Sequence, residues 1–430
     1  MAPPGALGGG NADLGGRIRA AAQAGELRGI PSGGARVEAL GRGESYAAWL
    51  VRSGGRARVV RVQRRATADM PRPMAAEFAA LGRIPPELGT RAIAMEPGPD
   101  SPLGAPYMVT THVPGRVLPP RDWGPPLLAA LAGQLARLHL ALVGTAGEMV
   151  AEALGEAVGE KGLGGGAAPS SATACDRTPV AMMPTTVAPA SAQGDEVLAW
   201  WRGSAPWTLE HPLVAPLLGA WREALTRHDP AFREAPVHPL IHGDVVRTNV
   251  VVCEGVPRLI DFEWAGPGDV AKDLALIGGR VSGGPWYVPL GSLDVQALVE
   301  EYVRVMAAQA PRMGCRAPGA GGGAGPVRWS PGHASVRDAA CLLARRDAYE
   351  LIDRMGNLLY CLSRGEATGD RGVHGAGAPE ETPGGASRVG QAHGEAARDD
   401  AAREEAARYA RWAAQIAAGM AAALAQPRTP

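Results

Sequence analysis

The sequence predicts an α+β chain with enough material for two lobes, and three observations carry that expectation. At 430 residues, 46% of them hydrophobic, the chain can bury two substantial cores. Residues 36–111 read as short β runs punctuated by glycine turns. Beyond Leu127 the apolar residues recur mostly at three- and four-residue steps, the period of a helix, around one compact hairpin near 249–261.

Each element follows from its local pattern. In Arg36–Gln63, the run Gly41-Arg42-Gly43-Glu44-Ser45 precedes a strand at Tyr46–Val51, Ser53-Gly54-Gly55 supplies a hairpin turn, and Ala57–Val62 alternates into a further strand. Gly41 and Gly43, beside Ser45, would let backbone N–H groups come close to a phosphate. A helix is expected after Pro73, over Met74–Leu81, with Glu77 on it. Ala105–Gly115 is a β-rich run broken by Pro114-Gly115. Leu127–Leu140 is amphipathic, with Leu128, Leu131, Leu135 and Leu138 on one face. Further helices are expected at Glu196–Trp201, Pro212–Thr226, Leu293–Ala310 and Val336–Leu362. Residues 396–425 form a C-terminal helix with Tyr409, Trp412, Ile416, Met420 and Leu424 on one side. Residues 1–35 read as a flexible N-terminus. The stretches near 144–193, 313–335 and 364–395 read as disordered, because their Gly, Ala, Pro, Ser and Thr bury too little to offset the entropy of ordering.

Bulk properties exclude several classes. A net charge of +0 provides no long-range field for nucleic acid or an anionic membrane. Five cysteines, odd in number and without a C-x-x-C pair, are expected as free thiols in a reducing compartment, hence a cytoplasmic protein. Met1–Gly16 lacks the apolar run of a secretory signal; Arg17, Arg19 and Arg28 leave a transit peptide conceivable, which Asp13 and Glu26 weaken. Leu127–Val143 is too short and too polar to span a bilayer.

The chemistry concentrates between Leu240 and Ala275. Two runs rich in Val and Leu, Asn249–Cys253 and Arg258–Asp261, flank the turn residues Glu254-Gly255-Val256-Pro257 and should pair as antiparallel strands. Such a hairpin would bring Asp244, Asn249 and Asp261 around one point. Phosphoryl transfer asks little covalent help of a protein: an oriented hydroxyl, cations bridging the phosphates, and positive charge near the moving group. Asp244 is placed to accept or orient the hydroxyl proton, while Asn249 and Asp261 offer the hard oxygens that suit Mg²⁺.

His242-Gly243-Asp244, Asn249, Ile260-Asp261-Phe262-Glu263 and Gly268-Asp269 through Asp273-Leu274-Ala275 resemble the signature of the aminoglycoside phosphotransferase and choline kinase superfamily. The resemblance implies a bilobal protein-kinase-like fold: a nucleotide-binding small antiparallel-sheet lobe at 36–112 and a larger, mainly helical catalytic lobe at 113–363. It implies Asp244 as catalytic base, Asn249 and Asp261 as magnesium ligands, and ATP or GTP as the phosphate donor to a small-molecule hydroxyl. Gly41, Gly43 and Ser45 would cover the phosphates, and Thr111 to Val113, in the linker between lobes, would lie against the base. Arg61 stands where the kinase pattern has a lysine, and is expected to pair with Glu77. Asp273 is expected to be a buried anchor, Asp269 a helix N-cap, and His139 a structural hydrogen-bonder.

Departures from the protein-kinase pattern shape the expected acceptor. Gly243 and Glu263 replace the kinase Arg and Gly, and the short interval from Asp261 to Asp269 leaves no room for an activation segment. Constitutive action on a small molecule is expected, with no obligate protein partner. Arg247 is a candidate to screen the transferring phosphate, and Trp264 is close enough in sequence to face an acceptor. A choline or ethanolamine kinase-like enzyme, or a nucleotide-binding relative without turnover, are the alternatives.

Overall fold

The computed structural model describes residues 11–141, 186–309, 338–369 and 388–425. Its first layer is a five-stranded antiparallel sheet: β1 (Arg36–Arg42), β2 (Tyr46–Ser53), β3 (Arg56–Gln63), β4 (Ala92–Glu96) and β5 (Tyr107–Thr111), in the order β1-β2-β3-β5-β4. The period of two sorts its faces. Trp49, Val51, Val60, Val62, Tyr107 and Val109 point to one side, where they pack with Ile18, Ala22, Leu27 and Ile30. Arg61 lies between Val60 and Val62 and so points to the other side, with Ala48 and Met108 as its register partners.

That apolar side corrects the expectation of a flexible N-terminus. Residues 11–24 form helix α1 (Asn11–Ala24), and the segment after it continues over the sheet with Leu27 and Ile30 buried. Sequence inspection sought a continuous apolar run; the helix instead uses Ile18 and Ala22, four apart, on one stripe. Helix α2 (Met74–Leu81) follows Pro73 as expected and buries Glu77.

The larger lobe is mainly helical. α3 (Pro125–Ala141) buries Leu128, Leu131, Leu135 and Leu138, the stripe read from the sequence. There follow α4 (Ala190–Ser204), α5 (Trp207–Glu210), α6 (Leu218–His228), α7 (Val270–Leu276), α8 (Ser292–Gln309), α9 (Ala339–Gly369) and α10 (Arg388–Ala425). Between α6 and α7 run β6 (His238–Ile241), β7 (Val250–Cys253), β8 (Val256–Leu259) and β9 (Gly266–Gly268), pairing antiparallel as β6 with β9 and β7 with β8. The β7–β8 turn is only Glu254-Gly255, both at positive φ (51° and 78°), the left-handed pair that suits the twist of a hairpin. Val256 and Pro257, assigned to the turn from sequence, instead stand opposite Cys253 and Val252 in the ladder.

The low-complexity stretches fall largely outside the described residues, at 142–185, 310–337 and 370–387. At their margins the chain is helical: α4 begins at Ala190, α9 runs through Gly369 and α10 starts at Arg388. No helix among the described residues is long and apolar enough to cross a membrane.

Helix α9 carries three fully buried arginines that hydropathy did not anticipate. Arg345 Nε donates to Asp269 Oδ2 at 2.8 Å, Arg346 pairs with Glu350 and the Gly278 carbonyl, and Arg354 donates to the Val281 carbonyl at 2.9 Å while lying 3.3 Å over the Tyr287 ring. Asp269 caps α7 by accepting from the Ala271 N–H, as expected, so the Arg345 pair locks the start of α7 to α9. Removing one member of such a pair leaves the other charge buried and uncompensated. Arg345→Ala should therefore lower unfolding stability by about 3 kcal/mol, which a urea titration measures.

Candidate active site

The chain leaves β6 into His242-Gly243-Asp244, and the shape of this loop is set by one buried carboxylate. Asp273, on α7, accepts the backbone N–H of His242 (2.8 Å) and of Gly243 (2.8 Å), and its Oδ2 lies 3.0 Å from His139 Nε2. His139 Nδ1 is 2.9 Å from the Tyr302 hydroxyl. Asp273 and His139 are both fully buried, as a structural anchor and hydrogen-bonder require. Burial alone would raise the Asp273 carboxyl, but the His139 contact, nearby imidazoles and the His242 N–H together hold it below the ordinary range. Gly243 has φ +79°, and a Cβ there would come within 2.6 Å of the Trp264 carbonyl oxygen, so only glycine fits. His242 Nδ1 accepts from the Asp244 N–H at 3.2 Å, which leaves its Nε2 to donate to the Ile260 carbonyl at 3.0 Å. The loop is thereby tied to the end of β8.

That tie brings the acid and the amide together. Asn249 Nδ2 donates to the Asp244 backbone carbonyl (3.0 Å) and to Asp244 Oδ2 (2.7 Å), leaving its amide oxygen for another partner. Asp261 follows β8 at φ +64°, an uncommon backbone conformation for a carboxylate residue and one that concentrates at functional sites. Burial, then the charges of Asp261 and Asp353, push the Asp244 carboxyl up to about 7. Burial and Asp261 likewise push Glu263 up to about 7. Carboxylates thus crowd one another at this point.

The sheet delivers the balancing charge. Arg61 pairs with Glu77 as expected and also with Asp261, joining β3, α2 and the end of the hairpin, while its guanidinium carbon lies 4.2 Å over the Tyr46 ring. Gly41 sits at a β-bulge in β1, the Gly43 N–H donates to the Tyr46 carbonyl at 2.9 Å, and Ser45 is buried beneath the turn. Residues 36–312 match the phosphotransferase enzyme family.

The chain belongs to that family, within the aminoglycoside phosphotransferase and choline kinase superfamily expected from its motifs. Among curated proteins, none matches it. Solved structures resemble it at a distance. A candidate aminoglycoside phosphotransferase from Ralstonia eutropha JMP134 is 14% identical, with 93% of this chain and 98% of that one covered and a TM-score of 0.47. The GDP complex of wild-type aminoglycoside 2'-phosphotransferase-IIIa is 14% identical over 90% and 93% of the two chains, TM-score 0.46. Choline kinase from Cryptosporidium parvum Iowa II is 12% identical over 76% and 83%, TM-score 0.43.

Other sequence-derived candidates are placed differently. Arg247, expected to face a phosphate, donates through Nη1 to the Leu118 carbonyl (2.6 Å) and through Nε to that of Pro285 (2.9 Å), with Nη2 also on Pro285. It is a clasp between two loops, its guanidinium taken up by the Leu118 and Pro285 carbonyls. Thr111 is engaged inside the sheet: its N–H donates to Arg91, its hydroxyl accepts from the Arg91 N–H, and its carbonyl accepts from the Thr90 hydroxyl. Val113 lies past the strand end and is buried. Trp264 is 46% exposed.

The structure also adds residues that no motif marked. On α9, Asp353 accepts from the Tyr287 hydroxyl at 2.7 Å, Asn357 donates to the same hydroxyl, and the Asp353 charge reaches Asp244. The rings of Trp286, Tyr360, Tyr409 and Trp412 meet edge to face at 5.1–6.4 Å. For Asp353 and Asn357 the available signal was their four-residue step, and for Tyr409 and Trp412 the one-sided stripe of the C-terminal helix.

Acid sensitivity follows from the polar network. His238 is fully buried, its Nε2 donates to the His139 carbonyl at 2.6 Å, and burial holds its pKa down at about 3 against an ordinary 6.5. The unfolded chain therefore binds more protons below pH 6.5, so His238's contribution is complete above that pH and declines as pH falls toward 3. Asp273, its carboxyl held low, adds stability present above about pH 4 that is lost on further acidification. In urea titrations, His238→Gln should be less stable at pH 8 yet lose less between pH 6.5 and 4 than the parent.

Proposed function

We propose that this phosphotransferase moves the γ-phosphate of ATP or GTP to a hydroxyl of a small molecule. The observation that carries the reading is the Asp244–Asn249 hydrogen bond set beside an Asp261 that Arg61 holds. Asp244 serves as the base, accepting the hydroxyl's proton as its oxygen attacks phosphorus. Asn249 orients that carboxylate through Nδ2 and offers its amide oxygen to Mg²⁺, which Asp261 completes with an anionic oxygen. The donor set fits a hard cation that keeps waters and phosphate oxygens among its ligands, and the carboxylate crowding that raises Asp244 and Glu263 is what a divalent charge relieves. When bound between Asn249 and Asp261, Mg²⁺ would neutralise negative charge developing on the phosphates. Arg61, steered by Glu77, holds phosphate oxygens, with the fork of a guanidinium in place of an ammonium. The turn of Gly41, Gly43 and Ser45 covers the phosphates, and Val113 lies near the base.

A cationic acceptor fits best. Asp244, Glu263 and Asp353 are acidic, and the aromatic group of Trp286, Tyr360, Tyr409 and Trp412 lies near Tyr287 and α9, an environment that attracts ammonium groups. The same features favour a choline- or ethanolamine-like amino alcohol as readily as an aminoglycoside. Action in the cytoplasm is part of the same proposal, resting on the sequence reading of the cysteines as free thiols.

A screen of amino alcohols and aminoglycosides coupled to ADP or GDP release tests the activity. Asp244→Ala should cut turnover by about 10³-fold while leaving nucleotide affinity nearly intact, and chelation of magnesium should abolish release. A purified chain that binds neither ATP nor GTP, measured by calorimetry, would end the proposal. Arg61→Ala should raise the nucleotide KM at least roughly tenfold, with Arg61→Lys between it and the parent; steady-state kinetics at saturating acceptor read this directly.

A further inference from the structure

The two lobes are joined very differently at the two sides of the cleft. On one side the joint is backbone: the Thr90 N–H donates to the Leu259 carbonyl (3.1 Å) and the Leu259 N–H donates back to the Leu88 carbonyl (2.9 Å). A Cβ on Gly89 would meet the Leu259 carbonyl at 2.3 Å, so the backbones are in close contact there. On the other side the joint is made by side chains: the Arg61–Asp261 pair inside the cleft and, at its rim, Glu44. Glu44, at the tip of the glycine turn, accepts from the Tyr360 hydroxyl on α9 and lies 3.9 Å from Arg364 Nε, one helical turn further on. Arg364 in turn lies 3.9 Å from Glu405 on α10.

The turn itself is held to its own sheet. The Gly43 N–H donates to Tyr46, the Arg64 N–H donates to the Ser45 carbonyl at 2.8 Å, and the Arg64 guanidinium reaches the Gly43 carbonyl. Within the small lobe Arg65 lies 3.8 Å from Glu44, and the charge of Arg64 also acts on it. A force on Glu44 therefore moves the whole sheet and not just the turn. Backbone bonds make the hinge, and side chains make the closure, with half-exposed Glu44 at the outer rim beyond the Arg61–Asp261 pair.

We infer that Glu44 is a positioning residue: a latch to Tyr360 and Arg364 that holds the glycine turn closed over the phosphates and must release before nucleotide leaves. The latch is weak enough to open, since its ion pairs are screened by water, and directional enough to close, since Tyr360 donates to a charged oxygen. It ties the phosphate-covering turn to the aromatic face of α9, so nucleotide and acceptor share one closing movement. This inference rests on the proposed phosphotransfer for its nucleotide but not for its geometry.

The test uses the full chain with Glu44→Ala, Glu44→Gln and Tyr360→Phe, all at exposed or half-exposed positions. Hydrogen exchange without nucleotide reads the closure, and stopped-flow dissociation of mant-ADP and mant-GDP reads its consequence. Glu44→Ala should speed exchange at residues 41–46 while Leu88–Thr90 stays protected, and should speed dissociation by roughly fivefold. Tyr360→Phe should act in the same direction, and Glu44→Gln, which still accepts from Tyr360, should fall between. Unchanged exchange in both Glu44→Ala and Tyr360→Phe overturns the latch. So does exchange that rises equally at 41–46 and 88–90, or faster exchange with unaltered dissociation. Regional exchange that rises as expected in a chain that binds neither probe supports the latch and removes the phosphotransfer reading instead.

Discussion

The arrangement depends on the Asp273 carboxylate. It is fully buried, and its two oxygens accept from successive backbone N–H groups of the loop that carries Asp244. A charge taken out of water is tolerable only when hydrogen bonds replace its solvation, and here the loop amides and His139 do so. The anchor and the loop therefore define each other. Asp244 is aimed because Asp273 leaves the preceding residues no other path, and Gly243 is required because that path brings it against the Trp264 carbonyl.

The next constraint is charge balance across the cleft. The larger lobe gathers Asp244, Asp261, Glu263 and Asp353, while the sheet sends Arg61 to meet them, already oriented by Glu77 and the Tyr46 ring. A guanidinium can hold Glu77 and Asp261 with separate nitrogens, which an ammonium does less directionally. Arginine at this position thus bridges the lobes. The buried arginines of α9 apply the same physics to packing: Arg345 fixes α7 and hence Asp273, so the loop that carries Asp244 is braced from two helices behind it.

Much of the site was legible because it is local. Asp244, Asn249 and Asp261 lie within eighteen residues, and a hairpin between them leaves few ways to separate them. Glu77 was legible because a helix start after Pro73 and a β3 arginine are both period-bound. Arg247 was misjudged because proximity in sequence to Asp244 says nothing of the Leu118 and Pro285 carbonyls that claim it. Helix α1 was missed because its stripe is short and made partly of alanine, which hydropathy barely registers.

Sequence by itself determined the α+β class, the strand and helix periods, the hairpin, and the residue types suited to phosphoryl transfer, since all of these are settled by neighbours a few positions apart. Tertiary structure alone decided which face of the sheet Arg61 takes and that it reaches Asp261, 200 residues away. It alone brought Asp353 toward Asp244 and set Glu44 against Tyr360. Those contacts join segments that share no local period, and only the packing of one lobe on the other selects them.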